Sequence, residues 1–114
     1  MKIKRGEIVL ANLEPIIGHE QGRIRPVLII QNDILNEFNP ITIIAPITSK
    51  VYTKEFPTNV EIETKDSGLK IKSTILLNKI RAIDKSRIIK KISSLDKETM
   101  DKVDLAIKIS LNLD

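Results

Sequence analysis

Cysteine and tryptophan are absent from this 114-residue chain, and histidine occurs once, at His19. Without cysteine there is no disulfide framework, no thiol nucleophile and no cysteine-based zinc site, a usage that fits a reducing cytoplasm. A single histidine likewise leaves a transition-metal centre without its usual ligands. Glycine is scarce, with four residues, and no Gly-x-Ser-x-Gly elbow is present. Gly18 and Gly22 are not followed by the Lys-Ser/Thr of a phosphate-binding P-loop. Glu14, Glu20 and Asp33 lack the clustering that a two-metal nuclease needs. No metal and no cofactor are therefore expected. No apolar run approaches the roughly 20 residues that span a bilayer, and MKIKRGEIVLANLEP at the N-terminus lacks the apolar segment of a signal peptide. A soluble, cytoplasmic protein without a membrane partner is the expectation.

Aromatic residues are limited to Phe38, Tyr52 and Phe56, so the core must be built from Ile, Leu and Val. At 41% hydrophobic and 30% charged, the composition is that of an ordinary globular chain, and its length suits one domain spanning residues 1–114. The net charge of +4 leans towards a polyanionic partner. Its distribution says more: residues 48–91 hold eleven Lys or Arg against five acids, whereas residues 95–114 hold three against five. A basic middle and an acidic tail point to one charged face, although solvated surface lysines would give similar totals.

Strands are expected at residues 7–12, 27–31, 41–45, 59–63, 73–77 and 88–93, each rich in aliphatic or β-branched residues. Pro26 should open the second strand, and Pro46 should interrupt or bend the third. Turn chemistry falls at Asn32-Asp33 and at residues 36–40, around at most one helical turn, and again at residues 65–68. From Asp96 the period changes to that of a helix, with Met100, Val103, Ile107 and Leu111 on one stripe. Asp96 should cap it, and Leu95 should staple onto Met100. Many strands followed by one helix indicate a mainly β, α+β fold: a small, strongly bent antiparallel barrel closed by the C-terminal helix. Leu105 and Ile109 point away from the helix stripe and need a second covering surface, from another subunit or a bound partner segment.

The densest polar chemistry is GHEQGRIRP, residues 18 to 26, just before an aliphatic run. A guanidinium binds phosphate bidentately and keeps its charge, so Arg25 suits an anion. Hydroxyls at Thr48 and Ser49, beside Lys50, can donate to the same oxygens, and Glu20 can orient the arginine or accept a proton. Arg25 and Glu20 as a loop-stabilising ion pair, with Thr48 as a turn residue, fits the spacing equally well.

Taken together, KRGEIV at residues 4–9, Gly18-His19-Glu20-Gln21-Gly22 with Arg25-Pro26-Val27-Leu28-Ile29-Ile30-Gln31-Asn32-Asp33, Ala45-Pro46-Ile47-Thr48-Ser49, Leu76-Leu77 with Ile80-Arg81-Ala82-Ile83-Asp84-Lys85, and the closing helix resemble the MazF/PemK toxin family. The resemblance covers nearly the whole chain in order. It implies an SH3-like barrel of the CcdB/PemK type, forming a homodimer. It implies a metal-independent, sequence-specific endoribonuclease cutting single-stranded RNA (an mRNA interferase), neutralised by a cognate antitoxin. Arg25 and Thr48 match the family's catalytic pair and Glu20 its loop glutamate, with His19 a further candidate proton acceptor. Gln21, Asn32, Ser49, Lys50, Asn78, Lys79, Arg81 and Arg87 are the expected RNA contacts. Three positions depart from many relatives: Asn78-Lys79 replaces an acidic residue and Gln, which bears on base preference, and His19 replaces Ser, which bears on proton transfer. A toxin of the same fold that binds a DNA topoisomerase is the alternative, and it would not need the Glu20-to-Arg25 loop together with Thr48. A non-catalytic RNA-binding barrel is the third, and the shortage of stacking aromatics speaks against it.

Overall fold

A computed structural model describes residues 1–15, 17–20 and 23–114. The aliphatic segments form seven strands: β1 (Glu7–Asn12), β2 (Ile24–Ile29), β3 (Ile41–Thr48), β4 (Asn59–Ile62), β5 (Ser73–Leu76), β6 (Arg81–Asp84) and β7 (Ile88–Ser94). Three helices complete the chain: α1 (Asp33–Phe38), α2 (Thr64–Ser67) and α3 (Lys97–Ser110). All ladders are antiparallel, in the order β4-β5-β3-β2-β1-β7, with β6 also pairing β3.

Successive side chains alternate between two covered faces over Val27–Ile29 of β2 and Ile44–Ile47 of β3, which is why those stretches are continuously apolar. Leu28, Ala45 and Ile47 face one core, with Ile8, Val60, Ile75, Leu77 and the α3 residues Val103 and Ala106. Val27, Ile29 and Ile44 face a second, with Val9, Ala11, Leu13 and Ile83. The sheet is therefore strongly bent around two aliphatic clusters. This is the small, strongly bent antiparallel architecture with a C-terminal helix expected from the sequence; the sheet itself stays open, since β4 and β7 are the ends of the order and no ladder joins them among the described residues.

Both prolines lie inside strands instead of bounding them. β2 begins at Ile24, and Pro26 pairs with Leu10 where the β2–β3 ladder, spanning Val27–Ile29, has not yet begun. β3 runs through Pro46 to Thr48. On one edge it pairs with β6 through residues 41–44 and with β5 through residues 47–48. Pro46 falls in the gap between those ladders, where a residue without an N–H can sit.

Residues 65–68, read as a turn, instead belong to the one-turn helix α2, ended by Gly68 at φ 71°. That left-handed conformation needs glycine, and a Cβ there would lie 3.2 Å from Ser93 Cβ. The helix at the C-terminus starts as read: Asp96 Oδ1 accepts the Thr99 N–H at 2.8 Å, and Leu95 and Met100 both pack on the first core. No helix among the described residues is long and apolar enough to cross a membrane.

Candidate active site

The loop between β1 and β2 is built from its own polar groups. Glu14 Oε1 accepts the Arg23 N–H at 2.6 Å, and the Leu13 N–H donates to the Arg23 carbonyl at 2.9 Å. Arg87, reaching back from the turn between β6 and β7, donates to the carbonyls of Asn12 and Glu14. The root of the loop is thus clamped, although Arg23 must adopt φ 66°, a costly conformation for a non-glycine residue. Gly18, at φ 58°, turns the tip without that cost. Glu20 Oε1 accepts the Ile17 N–H at 2.9 Å, so one oxygen of that carboxylate holds the loop in shape. Gln21, an expected RNA contact, and Gly22 lie outside the described residues.

This loop bends over a cavity of about 310 Å³ lined by His19, Glu20, Pro46, Lys79, Ile80 and Arg81. Four sequence candidates from distant segments meet there. Lys79 ends a 3₁₀ turn, Leu77–Lys79, whose Leu77 is fully buried, and Arg81 opens β6 opposite Ile44. Arg81 Nη1 is buried and has no hydrogen-bond partner among the described residues. An unsatisfied guanidinium nitrogen is costly, and an anion reaching the same side chain would lower that cost. Asn78 is exposed beside Lys79.

Arg25 is the second residue of β2, opposite Ala11, rather than at the strand's mouth. The β2–β3 ladder ends with Val27 opposite Pro46, and Arg25 and Thr48 each lie two residues beyond that pair along their own strands. Opposed residues of an antiparallel pair share a sheet face. Arg25 and Thr48 therefore share the face on which Pro46 lines the cavity. Partial burial lowers the Arg25 pKa from its ordinary value, and the positive charge of Arg23 lowers it further. Thr48 ends β3, paired with Thr74, and its Oγ1 accepts the Lys50 N–H at 3.2 Å. The Thr74 hydroxyl holds the Lys50 carbonyl at 2.9 Å. Ser49 and Lys50 are exposed just beyond.

Asn32 is not brought to this group. It caps α1 by accepting the Leu35 N–H at 2.9 Å, beyond the opposite end of β2 and roughly 20 Å from Arg25 along extended chain. Leu105 and Ile109 are 60% and 46% exposed on the outer side of α3. They line a larger groove, about 680 Å³, against β4 and the loop that follows β3. Sequence reasoning missed Pro46 and Ile80 as cavity walls, and it missed that Tyr52 and Phe56 meet in that loop. Their spacing after Lys50 was the available signal. No group of three or more His, Asp or Glu able to hold a metal occurs among the described residues.

Comparison with known proteins bears on this arrangement. The family profile of the PemK-like, MazF-like toxins of type II toxin–antitoxin systems matches residues 4–111. Endoribonuclease EndoA of Bacillus subtilis (strain 168) is 52% identical over 113 residues, covering 99% of this chain and 97% of that protein. Among solved structures, MazF of Deinococcus radiodurans superposes with a TM-score of 0.84 at 24% identity, covering 99% of each chain. A MazE–MazF structure from the same organism gives 0.79 at 21% identity, covering all of both chains. At those identities the structures bear on the fold alone.

Proposed function

The chain belongs to the PemK-like, MazF-like toxins of type II toxin–antitoxin systems, and we propose that it is a sequence-specific, metal-independent endoribonuclease of the cytoplasm. Its substrate is single-stranded RNA, and a cognate antitoxin neutralises it. The name of the 52%-identical relative supports the activity. The observation that supports the reading in this chain is the cavity bringing His19, Glu20, Lys79 and Arg81 together, on the sheet face to which strand alternation assigns Arg25 and Thr48. The topoisomerase-binding alternative has no observation in its favour.

RNA carries its own nucleophile. Its 2′-hydroxyl attacks the neighbouring phosphorus, the phosphate gains negative charge, and the 5′-oxygen departs with a proton. Arg25 and the Thr48 hydroxyl are placed to stabilise the charge on phosphate, commonly the largest single contribution. Burial and Arg23 lower the Arg25 pKa, which makes the guanidinium a stronger acid towards a strongly basic departing alkoxide. Glu20 and His19, adjacent in the loop, supply the acceptor for the 2′-hydroxyl proton. Arg81 and Lys79 line the same cavity as cations for the flanking phosphate or base. The antitoxin or the second subunit of a homodimer covers the exposed Leu105 and Ile109 of α3.

The test is cleavage of a long single-stranded RNA in excess EDTA. Discrete fragments ending in 2′,3′-cyclic phosphate are expected. Activity abolished by EDTA and restored by magnesium would overturn the mechanism.

A further inference from the structure

Two of the chain's three aromatic residues meet in one loop. Tyr52 and Phe56, between β3 and β4, pack edge to face with ring centroids 5.6 Å apart at 79°. Lys50 places its ammonium 4.7 Å from the centre of the Tyr52 ring. A core role does not explain the pair, because Phe56 is 45% exposed and neither ring belongs to the aliphatic clusters. Their position is set from the site outward. Thr48 Oγ1 takes the Lys50 N–H, Thr74 Oγ1 takes the Lys50 carbonyl, and Thr74, paired with Thr48, also lines the groove that Tyr52 and Phe56 border. The groove therefore begins one strand away from Thr48, at its partner Thr74.

Its charge suits a polyanion. Lys54 and Lys102 line it beside Lys50, and of its two acids Glu61 is already held by Lys72 at 3.1 Å, leaving Glu55. A π-surface flanked by displaceable lysines offers a nucleobase a stacking partner and its phosphate a counter-charge.

We infer that Phe56, buttressed by Tyr52 and flanked by Lys50, is a base-stacking subsite for a nucleotide of the RNA strand adjacent to the cleaved phosphate. The inference rests on the ribonuclease reading and adds a substrate contact to it. Stacking tolerates any base, so the subsite strengthens binding and leaves the cleavage motif to other residues. It also answers the argument from scarcity: few aromatics suffice when two are brought to the site.

Tyr52 is the only tyrosine and there is no tryptophan, so tyrosine emission reports this loop alone. The probe is a single-stranded DNA oligonucleotide carrying the cleavage motif found by fragment sequencing; lacking the 2′-hydroxyl, it is not cut. Binding should quench the emission saturably. Phe56→Leu, which keeps an apolar side chain without the ring, should weaken binding by about tenfold or more. The melting temperature should hold, and kcat on RNA should stay within about twofold, the loss appearing in KM. Replacing successive nucleotides by abasic ones should identify one position at which wild type falls to the level of Phe56→Leu and the variant loses nothing more. Unchanged binding by Phe56→Leu, absent quenching, or equal losses at every abasic position overturns the inference. So does a Phe56→Leu protein that binds RNA normally but no longer self-associates or takes up antitoxin, since the groove would then dock protein. Wild type that cuts no RNA, yet shows the same quenching and the same loss in Phe56→Leu on a homopolymeric single-stranded DNA, removes the ribonuclease reading and leaves only a stacking site for a single strand.

Discussion

Arg25 joins two requirements that usually conflict, a charge and partial burial. Partial burial lowers its pKa, and a second arginine nearby lowers it further. On the proposed mechanism, a phosphate gaining negative charge would offset both effects. Arg25→Ala is expected to slow cleavage by two to three orders of magnitude, about 3 kcal/mol. Thr48→Ala should slow it less, because its hydroxyl contributes one neutral donor and already accepts the Lys50 N–H. Neither change should alter the sequence that is cut, because phosphate contacts position a strand while base edges specify it; single-turnover kinetics and fragment sequencing check both statements. Lys79 is the candidate reader, set in the cavity wall beside Arg81. An ammonium only donates, whereas an amide also accepts. Lys79→Gln should therefore shift the preferred flanking base while the rate on the best substrate stays within about tenfold. An unchanged motif with weaker, less salt-sensitive binding would make Lys79 a backbone contact instead.

At the scale of elements, α3 depends on its start. The Asp96 carboxylate accepts from the Thr99 side chain and from the Thr99 backbone N–H, and both bonds lower its pKa below the ordinary carboxylate value. A group whose pKa is depressed by folding adds stability above its unfolded pKa, and that stability is lost as pH falls through the folded value. Asp96→Ala should therefore lower the melting temperature at neutral pH, and Asp96→Asn, which still caps, should lower it less. The gap between wild type and Asp96→Ala should narrow on acidification from the usual carboxylate range down past the lowered value. A gap independent of pH would mean that the cap's charge does not matter. β3 shows the opposite kind of element, one shaped by its neighbours. It serves β2 along one edge and β6 and β5 along the other, which carries Thr48 out to the site while Ile44 and Ile47 remain in separate cores.

For the whole molecule, the exposed side of α3 is the unsolved surface. Leu105 and Ile109 are exposed with Leu111 nearby at the same helix end, and a small folded domain rarely leaves such a set uncovered. Sedimentation at micromolar concentration is expected to show a dimer, and Leu105→Glu with Ile109→Lys should weaken it while leaving the fold intact. A clean wild-type monomer would assign the surface to the antitoxin alone. Leu105 and Ile109 line the same groove as Phe56, so a dimer held by α3 would set its seam next to the strand-binding groove.

Much of this protein was legible one residue at a time. Period-two aliphatic runs located most of the strands, because burial on both faces of β2 and β3 demands continuous apolar sequence. The change to helical spacing after Asp96 located α3, because a capped amphipathic helix carries its own signals. The Glu20–Arg25 loop stood out because charge and glycine are concentrated there, whereas Thr48 was singled out through the family resemblance. β6 was missed because Arg-Ala-Ile-Asp presents one large apolar residue and takes its strand form from pairing with β3. α2 was missed because four residues are too few for a period. Only the tertiary structure decided that the sheet stays open, that Pro26 and Pro46 lie within strands at unpaired edges, and that Asn32 caps a helix away from the cavity. It alone put Arg25 and Thr48 on one sheet face and brought Lys79 and Arg81 under the loop of His19 and Glu20. Those meetings depend on long-range strand register, and register follows from how two faces are buried at once, which no local stretch of sequence contains.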